Sequence, residues 1–214
     1  MHHQSFTYTE LVCFQVLCVV ASHTSIAEMT AHYTYAFMYF VIYFIYISLT
    51  QCLSHSLAIS IESNELNLCK KKISLGVCLS TLLSVVLIMN IIHYRSSFVH
   101  IFIDDNPQVT EEIYKVIYIF CTIIFISSMN TIMLGIVKTL ELELAWDYSF
   151  AFCYFIGIIV GATLCYFFDY GLQGIWGGWL LALVAELFLN LKRLLCLDFE
   201  EAFTMIKNRY NVVV

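Results

Sequence analysis

The chain has 214 residues, of which 61% are hydrophobic and only 12% are Asp, Glu, Lys or Arg, about half the charged share of an ordinary soluble domain; a typical water-soluble fold is excluded. One proline and eight glycines exclude a collagen-like or low-complexity chain. A net charge of -6 with ten basic residues argues against a nucleic-acid partner.

The charges leave four long intervals empty: 33 residues between Glu28 and Glu62, 22 between Lys72 and Arg95, 22 between Lys115 and Lys138, and 21 between Asp147 and Asp169. Each is long enough for a helix of about 20 residues across a hydrocarbon core of about 30 Å. In chain order, a short apolar stretch at 8–21 holds Glu10 near its start. Spans follow at 31–53, 73–93, 113–137 and 148–168, and a last one at 172–191 contains a single ionisable residue, Glu186. None of these runs alternates over about ten residues as a barrel strand would, so helices are predicted. The reading is an all-α polytopic membrane protein with six transmembrane helices in residues 1–197 and a tail at 198–214. The first stretch has a second reading, a secretory signal, because a short apolar run is followed by small polar residues. Against it, Met1 to Thr9 contains no Lys or Arg, and Glu10 stands where a signal places positive charge.

Lys and Arg in the connections give the orientation. With the N-terminus cytoplasmic, Lys70, Lys71, Lys72, Lys138, Lys192, Arg193, Lys207 and Arg209 fall inside, against Arg95 and Lys115 outside. Both termini are then cytoplasmic, in the plasma membrane or an internal membrane. Most of the nine cysteines fall in apolar spans, where they act as small hydrophobes. No C-x-x-C pair or zinc-ligand spacing occurs.

An acid inside hydrocarbon costs about 2.5 to 3.5 kcal/mol on insertion scales and so marks an ion or substrate path. Glu10 and Glu186 are the candidates. Glu186 has the more apolar surroundings, although it is near enough to Lys192 and Arg193 to reach an interface instead. The second span is dense in aromatics, and Tyr35, Tyr39, Tyr43 and Tyr46, spaced four, four and three, share one helix face. Such a stripe can line a cavity for organic cations or pack between helices. Gly157 with Gly161, and Gly174 with Gly178, form two GxxxG patterns that allow close helix approach in lipid.

Several motifs in order resemble the C-terminal half of the multidrug and toxic compound extrusion (MATE) family of cation-coupled antiporters. Ser63-Asn64-Glu65-Leu66 resembles the SNELGAGN signature, and the residues from Ile101 to Val109 are similar to the external LFTxDPEV segment. Gly135 with Lys138 resembles SGVxRG, Tyr154 with Gly157 and Gly161 resembles YxLxGIPVG, Gly171 to Gly178 resembles GxKGLWxG, and Asp198 to Ala202 resembles WxxEA. The resemblance implies that the six spans form one lobe, helices seven to twelve of a twelve-helix transporter with a cavity between its lobes. It implies that Glu10 is the family's glutamate in the first helix of this half. Ser127 stands where many eukaryotic members carry an aspartate, Glu186 where glutamine is usual, Ile159 where proline is common, Ile61 in place of an arginine, and Asn67-Leu68-Cys69 in place of the glycine-rich end of the signature.

The expected function is that of a half-sized or truncated antiporter exporting organic cations or xenobiotics in exchange for protons or sodium. No cofactor is expected, since the gradient drives exchange and no G-x-x-x-x-G-K-[ST] loop is present. The expected partners are small organic cations, the lipid bilayer, and a second lobe or a second copy of the chain. Candidate substrate or coupling-ion residues are Glu10, Glu186, Tyr35, Tyr39, Tyr43, Asn64 and Ser127. The other reading is a non-transporting remnant or a structural or regulatory membrane partner. An enzyme is not expected, because no nucleophile, base and orienting group occur together at membrane depth.

Overall fold

The computed structural model describes residues 5–97, 106–140, 147–196 and 203–204, without the side chains of 5–9, 11, 138, 147, 148 and 196. Six helices account for nearly all of them: α1 (Ser5–Ala21), α2 (Ile26–Glu62), α3 (Leu66–His93), α4 (Pro107–Thr139), α5 (Asp147–Tyr166) and α6 (Gly171–Cys196). The motif residues 101–105 and 198–202, and most of the tail, lie outside the described residues. Helices α2 to α6 are long and apolar enough to cross a membrane, whereas α1 has a shorter apolar run, Val12–Ala21. Phe44, Leu75, Leu82, Met89, Phe152 and Phe188 point outward and exposed, as expected of helices whose outer surface faces lipid.

Local sequence explains where these helices start and stop. Ser25 caps α2: its hydroxyl accepts the Glu28 backbone N–H, while the Glu28 carboxylate accepts the Ser25 backbone N–H, a reciprocal capping box. The same carboxylate, through Oε1, also accepts the Leu172 N–H at 3.2 Å, tying the start of α2 to the start of α6. Glu28→Ala is expected to lower stability by about 1 to 2 kcal/mol through the lost cap and tie, read as a lower thermal midpoint in detergent. At the other end of α2, Asn64 takes a left-handed φ of 59°, and the Glu65 N–H returns to the Ser60 carbonyl at 3.0 Å. Asparagine tolerates that conformation and so ends the helix. Asp169, with φ 56°, turns the chain between α5 and α6, which is why α5 stops at Tyr166 while the predicted span continued to 168.

The most extensive packing is α5 on α6, followed by α2 on α4 and α4 on α6; α3 lies against α2 and α4, and α1 mainly against α5. Lipid tails are as apolar as leucine, so helices in a bilayer associate through close fit and hydrogen bonds. α3 shows both. Its buried face is Cys69, Gly76, Ser80, Ser84 and Ile91, mostly small residues at intervals of seven and four. Ser84 Oγ donates to Ser128 Oγ at 2.7 Å and also meets the Tyr46 hydroxyl at 2.8 Å, joining α3 to α4 and α2. The larger apolar core is aromatic, with Trp176 and Trp179 of α6 buried among Phe14, Tyr35, Tyr39 and Phe120. A second, smaller core gathers Leu53, Leu57, Ile61, Cys69, Ile132, Ile136, Leu140 and Phe203.

Candidate functional site: two buried carboxyls in one cavity

Glu10 lies near the start of α1 and is only 5% exposed. An isolated carboxyl in such a place would be costly, and α2 supplies the compensation. Tyr43 donates its hydroxyl to Glu10 Oε2 at 2.5 Å, and Tyr39 donates to Oε1 at 3.1 Å. One helical turn separates the two tyrosines, so both reach the same carboxyl group from one face. The Tyr39 hydroxyl also lies 3.2 Å from Ser127 Oγ of α4.

Glu186 of α6 is 2% exposed, so the structure places it inside the lobe, not at an interface. Its Oε2 accepts the Tyr154 hydroxyl of α5 at 2.8 Å and Nδ2 of Asn130, on α4, at 3.1 Å. Asn130 also donates to the Leu183 carbonyl at 2.9 Å, which fixes the orientation of its amide. Its Oδ1 is then buried with no hydrogen-bond partner among the described residues.

The two carboxyls face one cavity, lined also by Tyr43, Ser127, Asn130, Thr131 and Tyr154. Its volume is about 10 Å³, close to the space one water needs and far below the several hundred Å³ of a pocket for an organic ligand. Inside the lobe there is therefore room for a proton, a water or a small ion beside the acids. This revises the expectation for the tyrosine stripe. The four tyrosines do share a buried face, but each hydroxyl is taken up by a partner inside the lobe, two of them by Glu10, and the cavity that Tyr43 lines is too small for an organic cation. Tyr39 and Tyr43 hold Glu10, Tyr46 bonds Ser84, and Tyr35 donates to the Ile113 carbonyl at 2.6 Å while packing on Phe120 and Trp176. Tyr35 thus braces α2 against α4 away from the cavity. Asn64 is exposed in the α2–α3 turn and does not join the cavity; its left-handed backbone accounts for asparagine there.

Glu10, Glu186, Tyr39, Tyr43 and Ser127 therefore come together, drawn from α1, α2, α4 and α6. Asn130 and Thr131 join them without having been singled out from the sequence. The signal for Asn130 was present, since it is a polar amide in the middle of the 113–137 run, the same reasoning that selected Glu186. Tyr154, visible in the sequence only as part of a motif, proves to be the hydroxyl that holds Glu186.

A family model described as MatE matches residues 7–163. The chain belongs to the MatE family. No curated protein matches it. Among solved structures, the lobe is similar to the eukaryotic MATE transporter AtDTX14, with a TM-score of 0.83, 13% identity, and coverage of 92% of this chain and 44% of that one. It is also similar to a multidrug resistance MATE family transporter of the MOP superfamily in an outward-facing conformation, with a TM-score of 0.71, 14% identity, and coverage of 87% and 41%. At such identities the likeness shows the fold, and the chain spans less than half the length of either structure. For a MatE lobe the geometry adds one point about the departures noted above. Ser127 of α4 lines the cavity that Glu186 also enters from α6.

Proposed function

We propose that this chain is one lobe of a MATE-type multidrug antiporter, which exports organic cations or xenobiotics in exchange for protons or sodium, and that Glu10 is the coupling acid. The observation that carries this reading is the burial of Glu10 beside a cavity sized for a small ion, with its charge supported by two tyrosine hydroxyls. A proton neutralises the carboxylate. Its loss leaves an anion that favours a bound cation, and because the two states exclude each other, downhill movement of one drives the other uphill. Glu186 supports the reading by restoring a second carboxyl to a cavity whose α4 position is Ser127.

A cavity of about 10 Å³ leaves no room for the organic cation itself. It binds between this lobe and a second lobe, or a second copy of this chain, as repeat-built transporters form their sites at the repeat interface. The lobe is a multi-pass protein of the plasma membrane or an internal membrane, with both termini cytoplasmic as the loop charges indicate. It needs no cofactor, uses no nucleic acid, and performs no enzymatic step.

The test is uptake of a fluorescent organic cation into proteoliposomes under an imposed pH or sodium gradient. Glu10→Gln is expected to reduce gradient-driven uptake to the level of protein-free liposomes, because glutamine keeps the shape and one acceptor oxygen for the tyrosines but cannot exchange a proton. Equal uptake by both proteins would remove Glu10 from coupling. A wild-type protein no better than empty liposomes, alone and with a second lobe supplied, would favour the reading as a non-transporting membrane partner.

A further inference from the structure

On the outer surface of the lobe, a groove runs between the first turns of α5 and the later turns of α6. Its volume is about 730 Å³, within the range of pockets that take a ligand. Ser149, Phe152 and Cys153 line it from α5, and Ala185, Phe188 and Leu189 from α6. Each helix therefore presents residues i, i+3 and i+4, which is one face. Phe152 and Phe188 form exposed rims, 63% and 71% accessible, while the other four are half-buried between them. Phe150, Tyr154, Glu186 and Arg193 come from the same turns but are buried on the inner side. The groove shares no lining residue with the carboxyl cavity.

Position, size and charge together say what fills it. The same outer surface carries exposed Phe155, Ile156, Ile159 and Leu181, so the groove opens toward acyl chains. Six residues on two helices are too few for a protein partner, since a stable interface takes about 20 to 30 residues a side; a single hydrocarbon chain needs only a narrow apolar slot. The charge is Lys192. It follows Phe188 by four residues and Leu189 by three, on the groove's own face of α6, and it is exposed. No ion pair joins it to another described residue. Its apolar stem can lie along the slot while the ammonium stays at the membrane surface. Ser149 brings a hydroxyl to the same end, because Arg193 lies over the Phe150 ring at 4.6 Å, which sets the first turn of α5 beside the last turns of α6. The loop charges make this end cytoplasmic, and the cytoplasmic leaflet is the one that carries anionic lipid.

We infer that the groove between α5 and α6 binds one anionic phospholipid. An acyl chain lies between Phe152 and Phe188 and over Ala185, the Lys192 ammonium pairs with the phosphate, and the Ser149 hydroxyl donates to a headgroup oxygen. The chain supplies apolar burial that any phospholipid would share, and Lys192 supplies the preference for negative charge. The site is independent of the antiport reading, because it requires neither a proton in the carboxyl cavity nor a transported cation.

The test is native mass spectrometry of the full chain in mild detergent, titrated with phosphatidylglycerol or with phosphatidylcholine of the same acyl chains. One retained phosphatidylglycerol per chain is expected, bound about fivefold more tightly than phosphatidylcholine, the attraction of one lysine for an anionic headgroup. Lys192→Gln should bring the two lipids to equal affinity, while Lys71→Gln, at an exposed lysine of α3, leaves the preference in place. Ala185→Leu fills the slot without touching the charge and should abolish retention of both lipids. Cys153→Leu is a second filling variant with the same expectation; both add carbon to open space, and an unchanged thermal midpoint checks that the fold is kept. Glycerol 3-phosphate, a headgroup without chains, should not be retained. Equal affinity of the wild type for the two lipids, an unchanged preference in Lys192→Gln, or full retention in both filling variants would overturn the site. So would a wild-type dimer that Ala185→Leu converts to a monomer with lipid retention unchanged, which would assign the groove to a second copy of the chain.

Discussion

Gly178→Leu is expected to abolish docking of α6 on α5 and to leave no stably folded lobe. A Cβ built on Gly178 falls 2.5 Å from both the nitrogen and the Cα of Gly161, and it also meets the Gly157 carbonyl oxygen. All three are backbone atoms of the facing helix, so no side-chain rotation relieves the clash. The same interlock is seen from the other side, where a Cβ on Gly157 would lie 2.7 Å from the Gly178 carbonyl oxygen, and one on Gly174 would lie 2.7 Å from the Cys165 nitrogen. The two GxxxG patterns are thus the two halves of one crossing, at the most extensive helix pair in the lobe. Even Gly178→Ala should cost about 1 to 3 kcal/mol, the usual range for overpacking, and leucine substantially more. The check is the yield of monodisperse protein in detergent and its thermal midpoint. Gly177→Ala is the control: nothing lies within 4 Å of its added methyl, and a helical glycine replaced by alanine gains up to about 1 kcal/mol. If neighbouring glycines respond alike, close approach is not what holds α5 to α6.

Tyr43→Phe should destabilise the lobe by about 2 to 3 kcal/mol, the range for a hydrogen bond to a charged group, by leaving Glu10 Oε2 without its 2.5 Å donor. In a Glu10→Leu background the same substitution should be neutral or stabilising, since the Tyr43 hydroxyl has then lost its carboxylate acceptor and phenylalanine removes the unpaired group. The coupling between the two positions is therefore expected at about 2 kcal/mol, measured from reversible unfolding in mixed micelles. Additive effects of the two substitutions would mean that the tyrosine does not support the acid. The transport experiment and this cycle separate two roles of one residue, because a coupling acid must be both held in place and able to exchange its proton.

Much of the fold was legible because membrane physics writes it in charge. Intervals without Asp, Glu, Lys or Arg located α2 to α5, and the single acid in the last run, Glu186, lay inside a helix as its apolar neighbours implied. Glu10 was legible for the same reason, although the short α1 needed the family resemblance to be read with assurance as part of the lobe. Partnership was not legible. A spacing of four and three says that Tyr35, Tyr39, Tyr43 and Tyr46 share a face, but whether a hydroxyl meets a carboxylate, a serine or a carbonyl depends on which helix arrives opposite it. Asn64 was drawn into the candidate site by its motif, yet the property that matters in the structure is its tolerance of a left-handed backbone. The meeting of Ser127 and Glu186 in one space lies beyond any local pattern, as they are 59 residues apart in sequence.

The length of α2 bears on where the lobe meets water. Its 37 residues measure about 55 Å along the axis, against a hydrocarbon slab of about 30 Å. To fit wholly inside, it would have to lean by about 57°, outside the 0–40° range of tilts that spanning helices adopt. The end carrying Leu57 and Ile61, with the α2–α3 corner and Lys70 to Lys72, consequently stands clear of the acyl chains as a stub. The smaller core of Leu53, Leu57, Ile61, Cys69, Ile132, Ile136, Leu140 and Phe203 belongs largely to that stub. There, unlike within the slab, expulsion of solvent from apolar surface drives assembly, so one protein is held together by two different forces at two depths.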